Sequence, residues 1–398
     1  MERPIQPPDL PHSNATTLQL SHPTPGEQIK IWTSSWASWG DSLDLPEYLK
    51  ESQFLTTIPL ARDGGMTMWI LVDKNLPPDE RPILCSCESL AKRARASDAD
   101  GNVGEVIVHG VASVFCPQEY RGRGYAARHM RELAKYLRLW QSDRGRIVGS
   151  VLYSDIGKEY YARLGWYPNP TNLHLEFPPT NSGSASPVAR RVAECDLAAL
   201  CERDEAMIRS ALTCPAPGSR RRVAILPDLD HMLWNIRKED FATRHLFGKA
   251  PQAKGAIAGP AGDQVWAIWT HRYYDRPDAA SPDNVLYILR LVVERDGSAN
   301  RDPSSAAGFE MGGRLHAEQI GYLGAVLQAA QAEAAEWKLH HVKLWEPSPW
   351  VRAAVAELGI AHDVVERRED SIACSMWFDD PDGAPQTTWV NNERYAWC

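Results

Sequence analysis

Val103-Gly104-Glu105-Val106-Ile107-Val108-His109-Gly110-Val111-Ala112-Ser113-Val114-Phe115-Cys116 leads, through Pro117-Gln118-Glu119-Tyr120, into Arg121-Gly122-Arg123-Gly124-Tyr125-Ala126. The first segment reads as a central strand, because both of its faces are largely apolar. Val106, Val108, Gly110, Ala112 and Val114 share one face, and Ile107, His109, Val111, Ser113 and Phe115 the other. Beyond the glycines the period changes to that of a helix. Ala126, Met130, Leu133, Ala134 and Leu137 form its inner stripe, with Arg128, Arg131, Glu132, Lys135 and Arg138 facing out. A strand that turns sharply into a helix presents N–H groups without intrahelical partners at the positive end of the helix dipole, which suits an anionic phosphate. Gly122 and Gly124 allow left-handed backbone and close approach, and the two arginines add charge. Alone, the turn also fits an exposed basic loop or an Arg-Gly fragment that binds nucleic acid. Its place between strand and amphipathic helix favours the phosphate cradle.

Outward from this stretch, the chain reads as alternating strands and helices. Met66 to Val72 and Arg146 to Tyr153 are expected strands, Gly157 to Leu164 a helix closed by Gly165, and Leu173 to Phe177 a last strand. Pro178-Pro179-Thr180-Asn181-Ser182-Gly183-Ser184-Ala185-Ser186-Pro187 is small, polar and turn-rich, the mark of a linker. The second half repeats the order. Strands are expected at Val265 to Thr270, Val285 to Val293, Val342 to Trp345 and Ile372 to Phe378. Helices are expected at Ala317 to Trp337 and Pro349 to Leu358. The reading is therefore a disordered tail over 1–14, a first domain over 15–178, a linker over 179–187 and a related second domain over 188–398.

Composition narrows the function classes. A chain of 398 residues with 43% hydrophobic residues can bury more than one core. A net charge of -8 argues against a general electrostatic grip on nucleic acid. No apolar run approaches the ~18 residues of a membrane span, and the Pro-rich start has no secretory h-region. A cytoplasmic location without membrane or nucleic-acid partners is expected, and oligomeric state is left open. The eight cysteines contain no CxxC pair, so no metal site is expected.

The pattern R-x-x-G-x-A after an apolar strand resembles the cofactor signature of the GNAT acetyltransferases. Tyr160-Tyr161-Ala162-Arg163-Leu164-Gly165-Trp166 is similar to that superfamily's second signature, F-Y-x-x-L-G-F. More narrowly, Leu152-Tyr153-Ser154-Asp155-Ile156-Gly157 and the ending Asn392-Glu393-Arg394-Tyr395-Ala396-Trp397-Cys398 resemble the fungal L-lysine N-acetyltransferases. The resemblance implies an α/β mixed sheet of GNAT fold, followed by a degenerate GNAT-like domain without a cofactor loop. In that second domain Gly312-Gly313-Arg314 is the nearest thing to a phosphate turn, and a poor one. It further implies an acetyl-CoA-dependent transferase acting on a small-molecule amine, the side-chain amine of free L-lysine being favoured. A peptide, polyamine or other metabolite amine is the alternative, as is a non-catalytic acyl-CoA-binding protein.

Acetyl transfer needs a neutral amine, a polarised thioester carbonyl and a proton for the departing thiolate. A lysine amine with a pKa of about 10.4 is less than about 0.1% neutral at pH 7, so a proton acceptor is needed. The resemblance assigns cofactor binding to Arg121, Gly122, Arg123, Gly124, Tyr125 and Ala126, and places the carbonyl-polarising strand end at Val114, Phe115 and Cys116. Tyr161 aligns with the tyrosine that protonates the thiolate, and a phenol is a competent donor at neutral pH. The strand glutamate of some superfamily members is replaced here by Gly110. His109 beside it is a candidate base or proton relay, or a satisfied core histidine. Asp155 is a candidate partner for the substrate ammonium, or a helix cap before Gly157.

Overall fold

The computed structural model describes residues 10–180, 188–216, 221–279, 283–294, 314–380 and 386–397. Most of the expected linker, the Gly312-Gly313 turn and the loop before it lie outside the described residues. The first half contains β1 (Leu18–Ser21), α1 (Pro25–Trp39), α2 (Leu45–Leu55), β2 (Met66–Asp73), β3 (Cys85–Asp98), β4 (Val103–Phe115), α3 (Tyr125–Leu137), β5 (Ile147–Ser154), α4 (Glu159–Ala162), β6 (Tyr167–Pro168) and β7 (Leu173–Phe177). The second contains β8 (Ala189–Val192), α5 (Leu197–Leu212), β9 (Arg221–Ile225), α6 (Leu229–Phe247), β10 (Gly255–Ala258), β11 (Val265–Arg272), β12 (Val285–Val293), α7 (Arg314–Glu336), β13 (His341–Trp345), α8 (Pro349–Leu358), β14 (Asp363–Glu366), β15 (Ile372–Trp377) and β16 (Thr387–Trp389).

Local signals fix several helix ends. Thr24 caps α1 in a reciprocal box with Glu27, and Pro25 opens the helix. Asp228 caps α6, and Gly248, in left-handed conformation, ends it. The helix expected over 157–164 shrinks to the single turn of α4, with Gly165 at a positive φ of 99° behind it.

Each half builds a mixed sheet around one parallel crossover. The first sheet runs β1-β2-β3-β4-β5-β15-β6, with β9 on the free stretch of β3 and β16 beyond it. Its crossover is β4–α3–β5. The second runs β14-β7-β13-β12-β11-β10-β8, with the parallel pair β12–β13 joined through α7. The related order expected of the two halves is therefore present in the topology.

The sheets exchange a strand. β15, from the end of the chain, lies antiparallel between β5 and β6 in the first sheet. β7, from the first half, lies antiparallel between β13 and β14 in the second. The segments expected to be the last strand of each half thus complete the other half. The cause is geometric: in each sheet the chain leaves the crossover strand, passes through a short helix, and returns two positions away. A slot remains that only a strand from elsewhere can pair.

The core follows the exchange. α3 covers one face of the first sheet with Met130, Leu133 and Leu137, while α1 and α2 cover the other near β2. α7 and α8 cover the outer face of the second. Between the sheets lies a shared cluster joining Val106, Val108 and Val151 to Met232, Ile236, Trp266, Ile268, Leu289 and Trp377. Residues 10–14, expected in a disordered tail, pack instead against α3, where the Tyr125 hydroxyl donates to the Pro11 carbonyl over 2.6 Å.

A fragment ending at residue 187 loses β15, β9 and the α6 side of this shared core. It is expected to show no cooperative thermal transition by circular dichroism, whereas the full chain melts as one unit. A fragment melting sharply on its own would contradict the exchange.

Candidate active site

The cradle has the backbone that its glycines predict. Gly122 and Gly124 sit at φ 75° and 83°, in the left-handed region, and Gly124 caps α3. A Cβ at Gly122 would meet no protein atom within 4 Å, so that side of the turn is open to a ligand. A Cβ at Gly124 would come 2.9 Å from the Ser13 hydroxyl oxygen. The first N–H groups of α3, which follow directly, have no intrahelical partners. Arg121 and Arg123 are exposed there, and Arg121 Nε donates to the Cys116 carbonyl at 2.9 Å. Tyr125 is buried and anchors the turn from behind, while Ala126 is half-buried in the first helical turn. Open left-handed glycines, free amides and two arginines fit a pyrophosphate.

Where the strand enters this turn, it parts from its neighbour. β4 and β5 pair from Ile107 opposite Ile147 to Val111 opposite Leu152, and no further. On its other edge β4 bulges against β3. Phe115 opposes Ser86 and Ala112 opposes Glu88, so that Ser113 and Val114 together face Cys87. Ser113 takes a positive φ of 52°, and the extra residue bends the strand away from β5. The parting opens a cleft of about 300 Å³. Of the three strand-end residues, Val114 lines it. Phe115 packs edge-on against Trp39, and Cys116 turns its sulfur toward the Leu84 carbonyl.

Tyr161, delivered by the single turn of α4, lines the same cleft. It is 7% exposed, and burial pushes its phenol well above the ordinary value, so the proton is retained across the physiological range. Tyr160 stands edge-on to it at 5.1 Å between ring centres. Asp155 also lines the cleft, at its exposed rim, yet the protein crowded around it raises its carboxyl pKa. It does not cap a helix. It accepts the Ser371 N–H at 2.9 Å, tying down the loop that leads into the exchanged strand β15.

His109 lies on β4, beneath α3, and does not line the cleft. It is fully buried, its Nε2 meets the Trp140 carbonyl at 3.1 Å, and burial pushes its pKa down to about 4. It stands before the point where β4 and β5 part, still paired with Ser150 of β5, and so lies below the opening. The histidine is thus a buried core residue and not a group of the cleft, with one ring nitrogen hydrogen-bonded and the other without a partner among the described residues.

Sequence reasoning missed the charged groups that do face the cleft: Glu88 from β3, Glu51 from α2, Lys238 from α6 and Arg272 from β11. Lys238 pairs with Glu51 at 2.5 Å, and Arg272 with Asp41 at 2.6 Å. Among the described residues, Glu88 and Asp155 have no ion-pair partner, although the charges of Lys238 and Arg394 respectively act on them. The segment carrying Glu88 mixes Cys, Ser, Ala, Lys and Arg, and shows no clean alternation. The turn Asp98-Ala99-Asp100-Gly101-Asn102 ahead of Val103 is the signal that could have revealed β3 as the hairpin partner of β4.

A larger cavity of about 450 Å³ lies where β12 and β13 separate in the second sheet, beside Leu291, Val292 and Leu344. Its buried Arg290 is already held by Asp204 and Glu393, and no counterpart of Tyr161 lines it. The smaller cleft, lined by a phenol and by Glu88 and Asp155 beside one parting of strands, is the better-equipped site.

Residues 174–398 match the LYC1 GNAT-like C-terminal domain, a match that begins at β7 and runs to the end of the chain. A protein named lysine acetyltransferase from Yarrowia lipolytica is 23% identical over 302 residues, covering 65% of this chain and 74% of that one. An uncharacterized protein of Saccharomyces cerevisiae, YGR111W, is 24% identical over 174 residues, covering 37% of this chain and 43% of that one. Among solved structures, a GCN5-related N-acetyltransferase from Kribbella flavida is 16% identical, with a TM-score of 0.49 over 92% of this chain and 73% of that one. With the family matched over more than half its length, the chain belongs to the LYC1 GNAT-like family and is an N-acetyltransferase of the GNAT superfamily.

Proposed function

We propose that the protein transfers the acetyl group of acetyl-CoA directly to the side-chain amine of free L-lysine. The observation that carries this reading is the convergence, at the parting of β4 and β5, of a protonated phenol and two carboxylates without ion-pair partners among the described residues. The cradle at Arg121 to Ala126 holds the pyrophosphate, and the cofactor supplies an activated acetyl thioester at the strand end near Val114. Asp155 at the rim attracts the ammonium group. Tyr161 holds its proton until the thiolate departs and then donates it.

A small acceptor suits the walls of the cleft. Trp234, Lys238, Arg272 and Trp397 line it from the second half, and its volume is about 300 Å³. The name of the Yarrowia relative supports lysine as the acceptor. The second half, in this reading, keeps the fold, contributes these wall residues and binds no cofactor of its own.

Replacing Tyr161 with Phe is expected to lower kcat about 100-fold or more, with acetyl-CoA affinity unchanged, in an assay of thiol release against L-lysine. Because burial raises rather than lowers this phenol, wild-type kcat is expected to show no alkaline decline up to pH 9. A decline of tenfold per unit there would show the proton donor to be some other group.

Gly122→Val is expected to weaken acetyl-CoA binding about tenfold or more by calorimetry. The left-handed φ costs a branched residue about 1–2 kcal/mol, and the side chain would enter the space left for phosphate. Unchanged affinity would remove the cradle from the reading.

A further inference from the structure

Two carboxylates face the cleft, and their settings differ. Asp155 sits at the exposed rim and already accepts a backbone N–H. Glu88 lies at the floor, on β3, directly across from Ala112, one residue beyond the last β4–β5 pair. Directly opposed residues on antiparallel strands hold their Cβ atoms about 4.5–5.5 Å apart, so the Glu88 carboxyl is delivered to the point where the strands part. There the Ser113 hydroxyl, on the residue that the bulge forces to positive φ, donates to Glu88 Oε2 at 3.1 Å. The bulge therefore sets both the opening and the orientation of this carboxylate.

We propose that Glu88 is the catalytic proton acceptor for the substrate amine. This role rests on the acetyltransferase reading above. Glu88 first takes one proton from the ammonium group and releases it to solvent; the neutral nitrogen then forms a bond to the acetyl carbon and the carbon–sulfur bond breaks. The proton lost from nitrogen passes to Glu88, and the phenol proton of Tyr161 passes to sulfur. Glu88 comes from β3 and Tyr161 from the turn of α4 that follows β5, and both line the cleft.

The groups around Glu88 suit a base active near neutrality. Burial raises its pKa, while the Ser113 hydroxyl and the charge of Lys238 act in the opposite direction. Lys238 comes from α6 and is itself neutralised by Glu51 of α2, and Arg272 of β11 by Asp41. Tyr48 of α2 also faces Glu88, and burial keeps its phenol protonated, so it adds no charge. Asp155 is the remaining acid in the cleft. A carboxylate lifted above its ordinary value is better matched than a free one to taking a proton from an ammonium group.

The test measures kcat/KM for L-lysine from pH 6 to 9.5 with acetyl-CoA as donor, in wild type, Glu88→Gln, Glu88→Asp and Asp155→Asn. Wild type should rise through a single ionisation and level off. Glu88→Gln should lose about 100-fold at pH 7, and then climb about tenfold per pH unit toward the amine pKa of about 10.4. Glu88→Asp should recover part of the activity, together with the plateau. Asp155→Asn should raise KM and keep the profile. Acetyl-CoA affinity and melting temperature, measured on each variant, should stay near wild type. If Glu88→Gln keeps more than a third of the activity with the same plateau, the role is overturned. Should that variant fail to fold, a wild-type profile that itself climbs tenfold per unit throughout overturns it equally. An active wild type with either result sinks the Glu88 role alone, whereas a wild type inert toward lysine and a panel of other amines sinks the functional reading and this role with it.

Discussion

β4 and β5 pair through five positions and then separate, and the site is assembled around that separation. Parallel strands in a continuous sheet bury their backbone groups against each other, so an interruption has to be imposed. Here it comes from the other side. The extra residue at Ser113 and Val114 bends β4 toward β3, and the positive φ at Ser113 is held while its hydroxyl bonds Glu88. The same strand then runs directly into the glycine turn and the N-terminus of α3. One bend thus sets the cleft, the carboxylate at its floor and the direction in which the chain reaches the cradle.

The exchange of strands holds β5, which borders the opening, along its far edge. β5 is gripped by β15 over Gly149 to Ser154, up to the point where Asp155 begins the cleft rim. The loop before β15 bonds both Asp155 and the Gly157 N–H. The far wall of the cleft is fixed in the same way. Trp397 follows Tyr395, whose hydroxyl donates to the Ile225 carbonyl at 2.6 Å within the shared core. Arg394 lies 3.7 Å from the Trp397 ring centre. A transferase site built by the first sheet therefore depends on residues near the end of the chain for its shape.

Charge in the cleft is organised by pairing. Each cation that reaches it has a carboxylate of its own close by, Glu51 for Lys238 and Asp41 for Arg272. What is left over is negative. For a positively charged acceptor this surplus assists capture, and the low local dielectric at the cleft floor makes it count for more than it would at the surface. The acidic net charge of the chain contains no hint of this, because it is the local pairing, not the total, that leaves two carboxylates without ion-pair partners among the described residues.

The sequence by itself determined the parts that act through neighbouring residues. A central strand, two glycines that need left-handed backbone, the amphipathic stripe of α3 and the Tyr161 segment are all short-range patterns, and each lies where its spacing placed it. The repeated order of the halves was legible for the same reason. Tertiary structure decided what depends on residues far apart in the chain. That Leu173–Phe177 and Ile372–Trp377 trade sheets follows from which slot each can fill, and no local pattern records a slot. That Glu88 faces the cleft follows from the register and the bulge between β3 and β4, since a strand's period of two turns one residue's shift into a change of face. The glycine turn and the tyrosine segment are local patterns, whereas the face that Glu88 presents was decided only when two strands came together.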